Sequence, residues 1–345
     1  MNDKAIRLTG LSREEITQLL AQWDEKPFRA KQLWSWLYVK LAGEVGEMTD
    51  LSKLFRAKLE ACCQPLRPTV QSQQLSSDGT IKWLLSFTDN QQVETVYIPE
   101  EERGTLCISS QVGCSLSCPF CHTGTQKLAR NLTTSEIVEQ VTFARAQVEA
   151  GGQRLTNIVL MGMGEPLYNY DAVVKAVRII LDGSGLAIGT RKITLSTSGI
   201  VPKMVQAGYD LGINLAISLH SVRDEVRDVL VPINKKYNLS ALRQGALAYP
   251  LKSNRSITWE YVMLEGVNDS LEDAQGLVRY LSGIPSKVNL IPFNPWPGTP
   301  YRPSSAQTIK QFQDWVGKTG LVTVIRERRG EDIQAACGQL KGSRL

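Results

Sequence analysis

Gly113-Cys-Ser-Leu-Ser-Cys-Pro-Phe-Cys-His122 sets three cysteines, Cys114, Cys118 and Cys121, at CxxxCxxC spacing on one short stretch. Three thiolates so placed can hold three irons of a [4Fe–4S] cluster and leave the fourth iron without a protein ligand. The four-cysteine ferredoxin run, by contrast, closes every iron. An open iron can chelate the amino and carboxylate groups of S-adenosylmethionine (SAM) and pass it one electron; the cofactor then does the hard chemistry and the protein positions it. The competing reading is a structural zinc site, which needs four tetrahedral protein ligands, with Cys107 as the available fourth thiol. His122 is read as packing beside the site.

Outward from this stretch, strand and helix signals alternate. Strands are predicted at 106–110, 157–161, 192–196, 214–219, 256–263 and 287–291. Helices fall between them, including one that opens at the capping box Thr133-Thr-Ser-Glu136 and others over about 170–181 and 271–281. Six strand–helix units in series predict an α/β fold with a parallel sheet curled into a partial (β/α)6 barrel. A final helix (303–319) and a closing strand (322–326) follow. Residues 101–345 are assigned to this domain.

Two other regions precede it. Residues 1–67 read as a helical accessory module: Ser12-Arg-Glu-Glu15 fits a capping box, and Leu33, Trp34 and Leu37 recur at helical spacing. Lys26, Arg29, Lys31 and Lys40 flank the second helix, either as a solvated basic face or as a grip on RNA phosphates. Residues 68–100 alternate, with 81–87 and 93–98 around the turn signal Thr88-Asp-Asn-Gln91, and read as a β-hairpin linker.

Composition narrows the class. Hydrophobic residues are 42% of the 345, enough for a sizeable core, and no apolar run reaches the ~18 residues of a membrane span. The opening Met1-Asn-Asp-Lys-Ala-Ile-Arg7 carries no apolar signal segment. A cytoplasmic protein with no membrane association is expected, as a monomer. The seven cysteines cluster in a way that, in a reducing compartment, points to metal or catalysis rather than structural disulfides. Two histidines leave no His-rich metal centre, and a net charge of +5 is compatible with nucleic acid without requiring it.

The unusual residues gather at predicted C-terminal strand ends, the face where (β/α) barrels build active sites. The cysteine loop follows the first strand and Gly162-Met-Gly-Glu-Pro166 the second. Ser196-Thr-Ser-Gly199 ends the third, Ser218-Leu-His220 the fourth, and Asn294-Pro-Trp-Pro-Gly298 follows the sixth. Glycines there permit close ligand approach, and Glu165 suits an ammonium group. Ser196, Ser218 and His220 suit a ribose or carboxylate, and Asn294 suits an adenine edge. Each alone is also an ordinary turn or capping residue. Cys107 could be core, and Glu94 an exposed strand residue. Cys62 and Cys63 receive no role. Cys337 could be a buried thiol, in a basic, small-residue-rich terminal segment expected to be mobile.

Taken together, Val93-Glu-Thr-Val96, Cys107-Ile-Ser-Ser-Gln-Val-Gly-Cys114, the triad with Arg130-Asn-Leu132, Met161-Gly-Met-Gly-Glu-Pro166, Leu195-Ser-Thr-Ser-Gly199, Ala216-Ile-Ser-Leu-His220, Val288-Asn-Leu-Ile-Pro-Phe-Asn-Pro295 and Asp332-Ile-Gln-Ala-Ala-Cys-Gly-Gln-Leu340 resemble the RlmN-type radical SAM RNA methyltransferases over nearly the whole chain. The resemblance implies a radical SAM partial barrel that methylates adenine C2 in 23S rRNA, at the peptidyl transferase centre, and in tRNA next to the anticodon. It implies one [4Fe–4S] cluster on Cys114, Cys118 and Cys121, and SAM, two per turnover, held by Gly164, Glu165, Ser196, Ser218, Leu219, His220 and Asn294. Cys337 would be methylated and form a covalent adduct with RNA. Cys107 would resolve that adduct through a transient disulfide with Cys337, and Glu94 would be the general base. Adenine C2 is electron-poor and non-nucleophilic, so a radical route with a second thiol for release is chemically sensible. The target base must be splayed out to reach the barrel mouth, and an electron donor such as flavodoxin is implied. The overlapping Cfr-like alternative modifies C8 of the same rRNA adenine.

Overall fold

The computed structural model describes residues 5–342, so the first four residues of the opening stretch and the last three of the chain lie outside it. The helical N-terminal part contains α1 (Arg13–Gln22), α2 (Phe28–Tyr38) and α3 (Lys53–Cys62). The α1 capping box forms as predicted, Ser12 and Glu15 satisfying each other's backbone N–H. Leu33, Trp34, Leu37 and Tyr38 bury one face of α2. Of the flanking basic residues, Lys40 pairs with Asp50 at 3.6 Å and lies 3.5 Å from the Trp36 ring centroid.

The strands are β1 (Thr69–Leu75), β2 (Ile81–Ser86), β3 (Gln92–Pro99), β4 (Gly104–Cys107), β5 (Gln111–Val112), β6 (Arg130–Asn131), β7 (Asn157–Leu160), β8 (Ile193–Thr197), β9 (Asn214–Ser218), β10 (Ile257–Met263), β11 (Ser286–Pro292) and β12 (Val322–Ile325). Ten of them form one sheet in the order β1-β2-β3-β4-β7-β8-β9-β10-β11-β12. From β4 to β12 every neighbour is parallel. The helices α4 (Thr134–Ala150), α5 (Tyr170–Leu181), α6 (Val201–Leu211), α7 (Asp224–Leu230), α8 (Leu239–Ala248), α9 (Leu271–Leu281) and α10 (Ala306–Gly317) fill the crossovers. All six predicted strands are present. Every residue of β10 is buried, as expected of a parallel strand covered on both faces.

The stretch from 68 to 100 supplies three strands. β1, β2 and β3 form an antiparallel meander, and β3 pairs with β4, so the meander continues the main sheet. β1 escaped sequence reading because all seven residues are exposed, which leaves no one-sided pattern.

The sheet curls. Arg326, just past β12, reaches the Sδ of Met161, just past β7, at 3.9 Å. The residues after β12 then run as a strap to the opposite end of the sheet. There Asp332 accepts from Ser76 and Gly330 donates to Asp78, while Lys82 donates to the Gln334 carbonyl. The segment expected from composition to be mobile is instead tied down by long-range hydrogen bonds, most of them between a side chain and the backbone, that composition does not reveal.

The N-terminal helices dock on α4 and α5. Thr9 donates to Glu139, Arg7 pairs with Glu136 at 3.2 Å, and Lys175 pairs with Glu15 at 2.6 Å. Among the described residues no helix is long and apolar enough to cross a membrane.

Candidate functional site

The turns at the C-terminal ends of the parallel strands enclose a cavity of about 160 Å³. Cys114, Cys118 and Cys121 line one side of it. Gly164, Glu165, Ser196, Ser218, His220 and Asn294 line the rest, with Cys337 above them. Ten of the thirteen candidate residues therefore line one cavity. Leu219 lies behind it, fully buried, its N–H donating to the Glu260 carbonyl and its carbonyl accepting from Arg227. Cys107 and Glu94 are buried next to the cavity without lining it.

The cysteine loop is pinched off by the short β5–β6 pair. Inside it, Cys121 donates to the Cys118 carbonyl and Gly124 to that of Cys121. Burial pushes the Cys114 thiol up to about 12 and raises Cys118 and Cys121 as well, the neighbouring thiols adding to the effect. Iron binding would therefore release protons as thiolates form. Cys107 stands apart: its ionisation is coupled to Cys337 and Arg326 rather than to the triad. His122 is stacked on Trp296, with ring centroids 4.8 Å apart, and does not line the cavity.

Three of the wall residues are fixed by their neighbours. Gly164 has φ +99°, and a Cβ there would fall 2.5 Å from the Gln111 Cβ, so only glycine brings this turn against the loop. Glu165 is buried; its carboxylate accepts from the N–H groups of Leu167 (3.1 Å) and Ser198 (2.8 Å), and burial raises its pKa. It is both a cap for its own turn and a brace between two strand ends. His220 accepts at Nδ1 from the Val262 N–H at 3.1 Å, which puts its proton on Nε2. Burial, with nearby Arg227, drives its pKa down to about 3 and keeps it neutral.

Four residues that sequence reading did not single out organise the site. Arg227, fully buried, donates to the carbonyls of Ser198 (2.8 Å), Ser218 (3.1 Å) and Leu219 (3.0 Å) and to Asn234 (2.7 Å). Burial lowers its pKa to about 10. Gln111 accepts from the N–H groups of Ser115 and Glu165, joining the cysteine loop to the glycine turn. Glu260 is a lone carboxylate in an apolar strand; one oxygen accepts from Asn289 and the other is buried without a partner at the cavity. Arg326 lies beside Cys337, Glu260 and Cys107, which together favour its charged form. Of the four, Glu260 alone carried a readable signal, a carboxylate inside the apolar run Ile257–Met263.

The strap closes the cavity. Asn294 donates to the Cys337 carbonyl at 3.2 Å, His122 donates to Gly338 at 2.7 Å, and Thr123 donates to Leu340 at 2.6 Å. The Asn294 Oδ1 is buried with no partner. Two orphaned acceptors, Asn294 Oδ1 and Glu260 Oε2, suit a ligand rich in N–H and O–H donors, as the amino, ribose and adenine groups of SAM are. Three thiols on the opposite wall suit a cluster with one open iron.

Comparison with known proteins shows the family. Residues 108–278 match the radical SAM superfamily model, and residues 6–64 match the ribosomal RNA large subunit methyltransferase N-terminal domain. A dual-specificity RNA methyltransferase RlmN of Magnetococcus marinus is 67% identical over 99% of this chain and 97% of its own length. That of Rhodospirillum rubrum is 53% identical over 100% of this chain and 82% of its own length. The crystal structure of a radical SAM methyltransferase from Sphaerobacter thermophilus superposes with a TM-score of 0.95 at 40% identity, covering 97% of this chain and 99% of that one. The chain belongs to the RlmN-type radical SAM RNA methyltransferases, enzymes that use S-adenosylmethionine and a [4Fe–4S] cluster.

Proposed function

We propose that this enzyme methylates C2 of adenine in 23S rRNA, at the peptidyl transferase centre, and in tRNA next to the anticodon, through a methylated cysteine and a covalent protein–RNA intermediate. The observation that carries the reading is that Cys107 and Cys337, two thiols outside the triad, both lie within electrostatic reach of Arg326, which lines the cavity together with Cys337. Cys114, Cys118 and Cys121 would hold the cluster. Gly164, Glu165, Ser196, Ser218, His220 and Asn294 would hold SAM, with Leu219 contributing through its backbone.

A cluster held by these three thiols, with SAM bound, would supply a 5′-deoxyadenosyl radical. The chain's own residues do the rest. Cys337 takes a methyl group from one SAM molecule, which makes the count two per turnover. Its methyl group gives a hydrogen atom to the radical, and the resulting carbon radical adds to C2. The charged guanidinium of Arg326 favours the thiolate of Cys107 against the effect of burial. Loss of one electron from that adduct radical, which would return to the cluster, and of the C2 proton restores the aromatic ring. A Cys107 thiolate then attacks the Cys337 sulfur and breaks its bond to the transferred carbon; that carbon takes a proton to become the methyl group, and the Cys107–Cys337 disulfide left behind is reduced by an external dithiol before the next turnover. Glu94 serves as general base at the C2 proton. Its carboxylate now bonds the strap, accepting from the Lys341 N–H, so it acts once the strap shifts to admit RNA. The enzyme works as a cytoplasmic monomer reduced by a flavodoxin-type donor.

Nucleoside mass spectrometry of rRNA and tRNA from cells with and without the gene tests this. Gene-dependent 2-methyladenosine is expected in both RNAs. 8-Methyladenosine as the sole product would replace the C2 reading with the Cfr-like one. Anaerobic protein with reductant and SAM should yield 5′-deoxyadenosine, and intact SAM would remove the radical step.

A further inference from the structure

On the side of the cysteine loop, one residue is shared between the cavity and the outer surface. Leu116 lines the cavity and also an outer groove of about 550 Å³, shared with Ser115, Ser117, Leu128, Tyr168 and Ile233. Leu128 and Tyr168 are 40% and 38% exposed. The segments around this groove, 111–117, 126–132, 166–169 and 231–237, contain Lys127, Arg130, Lys235 and Lys236 and neither Asp nor Glu. Arg130 is engaged by Asp89 and Glu136. Lys235 and Lys236 are exposed, and among the described residues no ion pair holds either. Lys236 lies 5.3 Å from the Tyr237 ring and close enough to Tyr168 to act on its hydroxyl. The groove thus has an apolar floor and a basic rim.

The other approaches to the triad are closed or committed. The strap covers the loop through His122 and Thr123, and Trp296 donates to the Phe120 carbonyl at 3.0 Å. The mouth beside Cys337 is where a splayed base must enter. An electron arriving while RNA is bound needs a separate, short path.

We propose that this groove docks the one-electron donor, a small acidic flavoprotein of the flavodoxin class, and that the loop around Leu116 is the electron's way in. The inference rests on the reading of Cys114, Cys118 and Cys121 as cluster ligands. In the step itself the reduced flavin loses one electron, the cluster gains it, and no covalent bond forms or breaks. An acidic partner meets the basic rim, which sets association rate and salt dependence more than affinity. The exposed apolar edge of a flavin ring finds Leu128 and Tyr168; an iron–sulfur carrier sheathes its cluster in its own loop and presents no such edge.

The test uses the full chain with its cluster reconstituted anaerobically. Binding of oxidised flavodoxin is measured by calorimetry at low and high salt for wild type, the K235E/K236E variant and Leu128→Asp. SAM cleavage is driven in parallel by reduced flavodoxin and by dithionite. Both variants are expected to weaken binding about tenfold, and charge reversal to flatten its salt dependence. Flavodoxin-driven cleavage should fall to match, with dithionite-driven cleavage unchanged. Wild-type affinity in both variants would overturn the proposal, and so would loss of ferredoxin binding with flavodoxin binding intact. Failure of wild type to cleave SAM with dithionite would instead remove the cluster reading, and the docking proposal with it.

Discussion

Glu94 accepts a hydrogen bond from the backbone N–H of Lys341 at 2.6 Å. Its other oxygen lies 3.0 Å from the Nζ of Lys82, which also donates to the Gln334 carbonyl at 3.2 Å. One buried carboxylate therefore ties β3 to the strap at a point four residues beyond Cys337. In the proposed mechanism the same carboxylate is the base, so strap position and proton transfer are coupled through a single side chain.

Glu94→Gln separates the two roles. The amide oxygen still accepts from Lys341, so the strap stays in place and Cys337 is still methylated by SAM. Methylated RNA should fall by roughly 10²-fold or more, the usual scale for losing a general base. Glu94→Ala removes the strap contact as well and should speed amide exchange over residues 337–342. The checks are mass spectrometry of the protein and of nucleosides, with hydrogen exchange for the strap. Full RNA turnover in Glu94→Gln would remove Glu94 as the base.

Cys107→Ala tests the second thiol. Cys107 is the last residue of β4, and burial pushes its thiol up to about 12 against the opposing effect of Arg326. Without it the adduct at Cys337 has no partner for exchange. RNA should stay crosslinked through Cys337, seen as a slow band on a denaturing gel that Cys337→Ala abolishes. Turnover equal to wild type would take Cys107 out of the mechanism.

The parallel strands and the motifs at their ends were legible because each strand is a short apolar run and each turn breaks it with Gly, Ser or Pro. The triad was legible because a three-thiol spacing has few other meanings. What holds the motifs together was not. Arg227 reads as one charge in the charged stretch Arg223-Asp-Glu-Val-Arg-Asp228; nothing local says that it turns inward to three carbonyls contributed by two different strand ends. Gln111 lies inside a quoted motif, yet its bonds to Ser115 and Glu165 join segments about fifty residues apart. The strap failed for the same reason: its partners, Ser76, Asp78, Lys82 and Glu94, lie some 250 residues upstream.

Arg227→Met probes that scaffolding. The substitution leaves the carbonyls of Ser198, Ser218 and Leu219 without this donor, and each buried acceptor so left costs about 1–3 kcal/mol. A clear drop in melting temperature is expected. SAM affinity should also fall, because the turns bearing Ser196 and Ser218 lose their common anchor. Arg227→Lys, which restores the charge but not the fork, should recover only part of either. Thermal unfolding and equilibrium SAM binding give the two readouts, and unchanged SAM affinity in Arg227→Met would reduce the residue to a purely structural one.

Glu139 gives a prediction with a definite pH sign. It lies on α4 beneath the docked N-terminal segment and accepts from Thr9, and burial raises its pKa to about 7. A carboxyl whose folded pKa lies above its unfolded value near 4.5 contributes its full stability below the unfolded pKa and loses it as pH rises through the folded one. Stability should therefore decline between about pH 4.5 and 7 as the buried group is forced to ionise. Glu139→Gln keeps an acceptor for Thr9 and cannot ionise, so it should flatten that decline. The variant should match wild type near pH 4.5 and exceed it at pH 8 by on the order of 1–3 kcal/mol, from the 1.36 kcal/mol per pKa unit scale. Denaturant unfolding across pH 4.5–8 measures the difference. A variant less stable than wild type at pH 8 would mean that Arg7 holds Glu139 ionised in the folded protein and that the N-terminal contact is an ion pair.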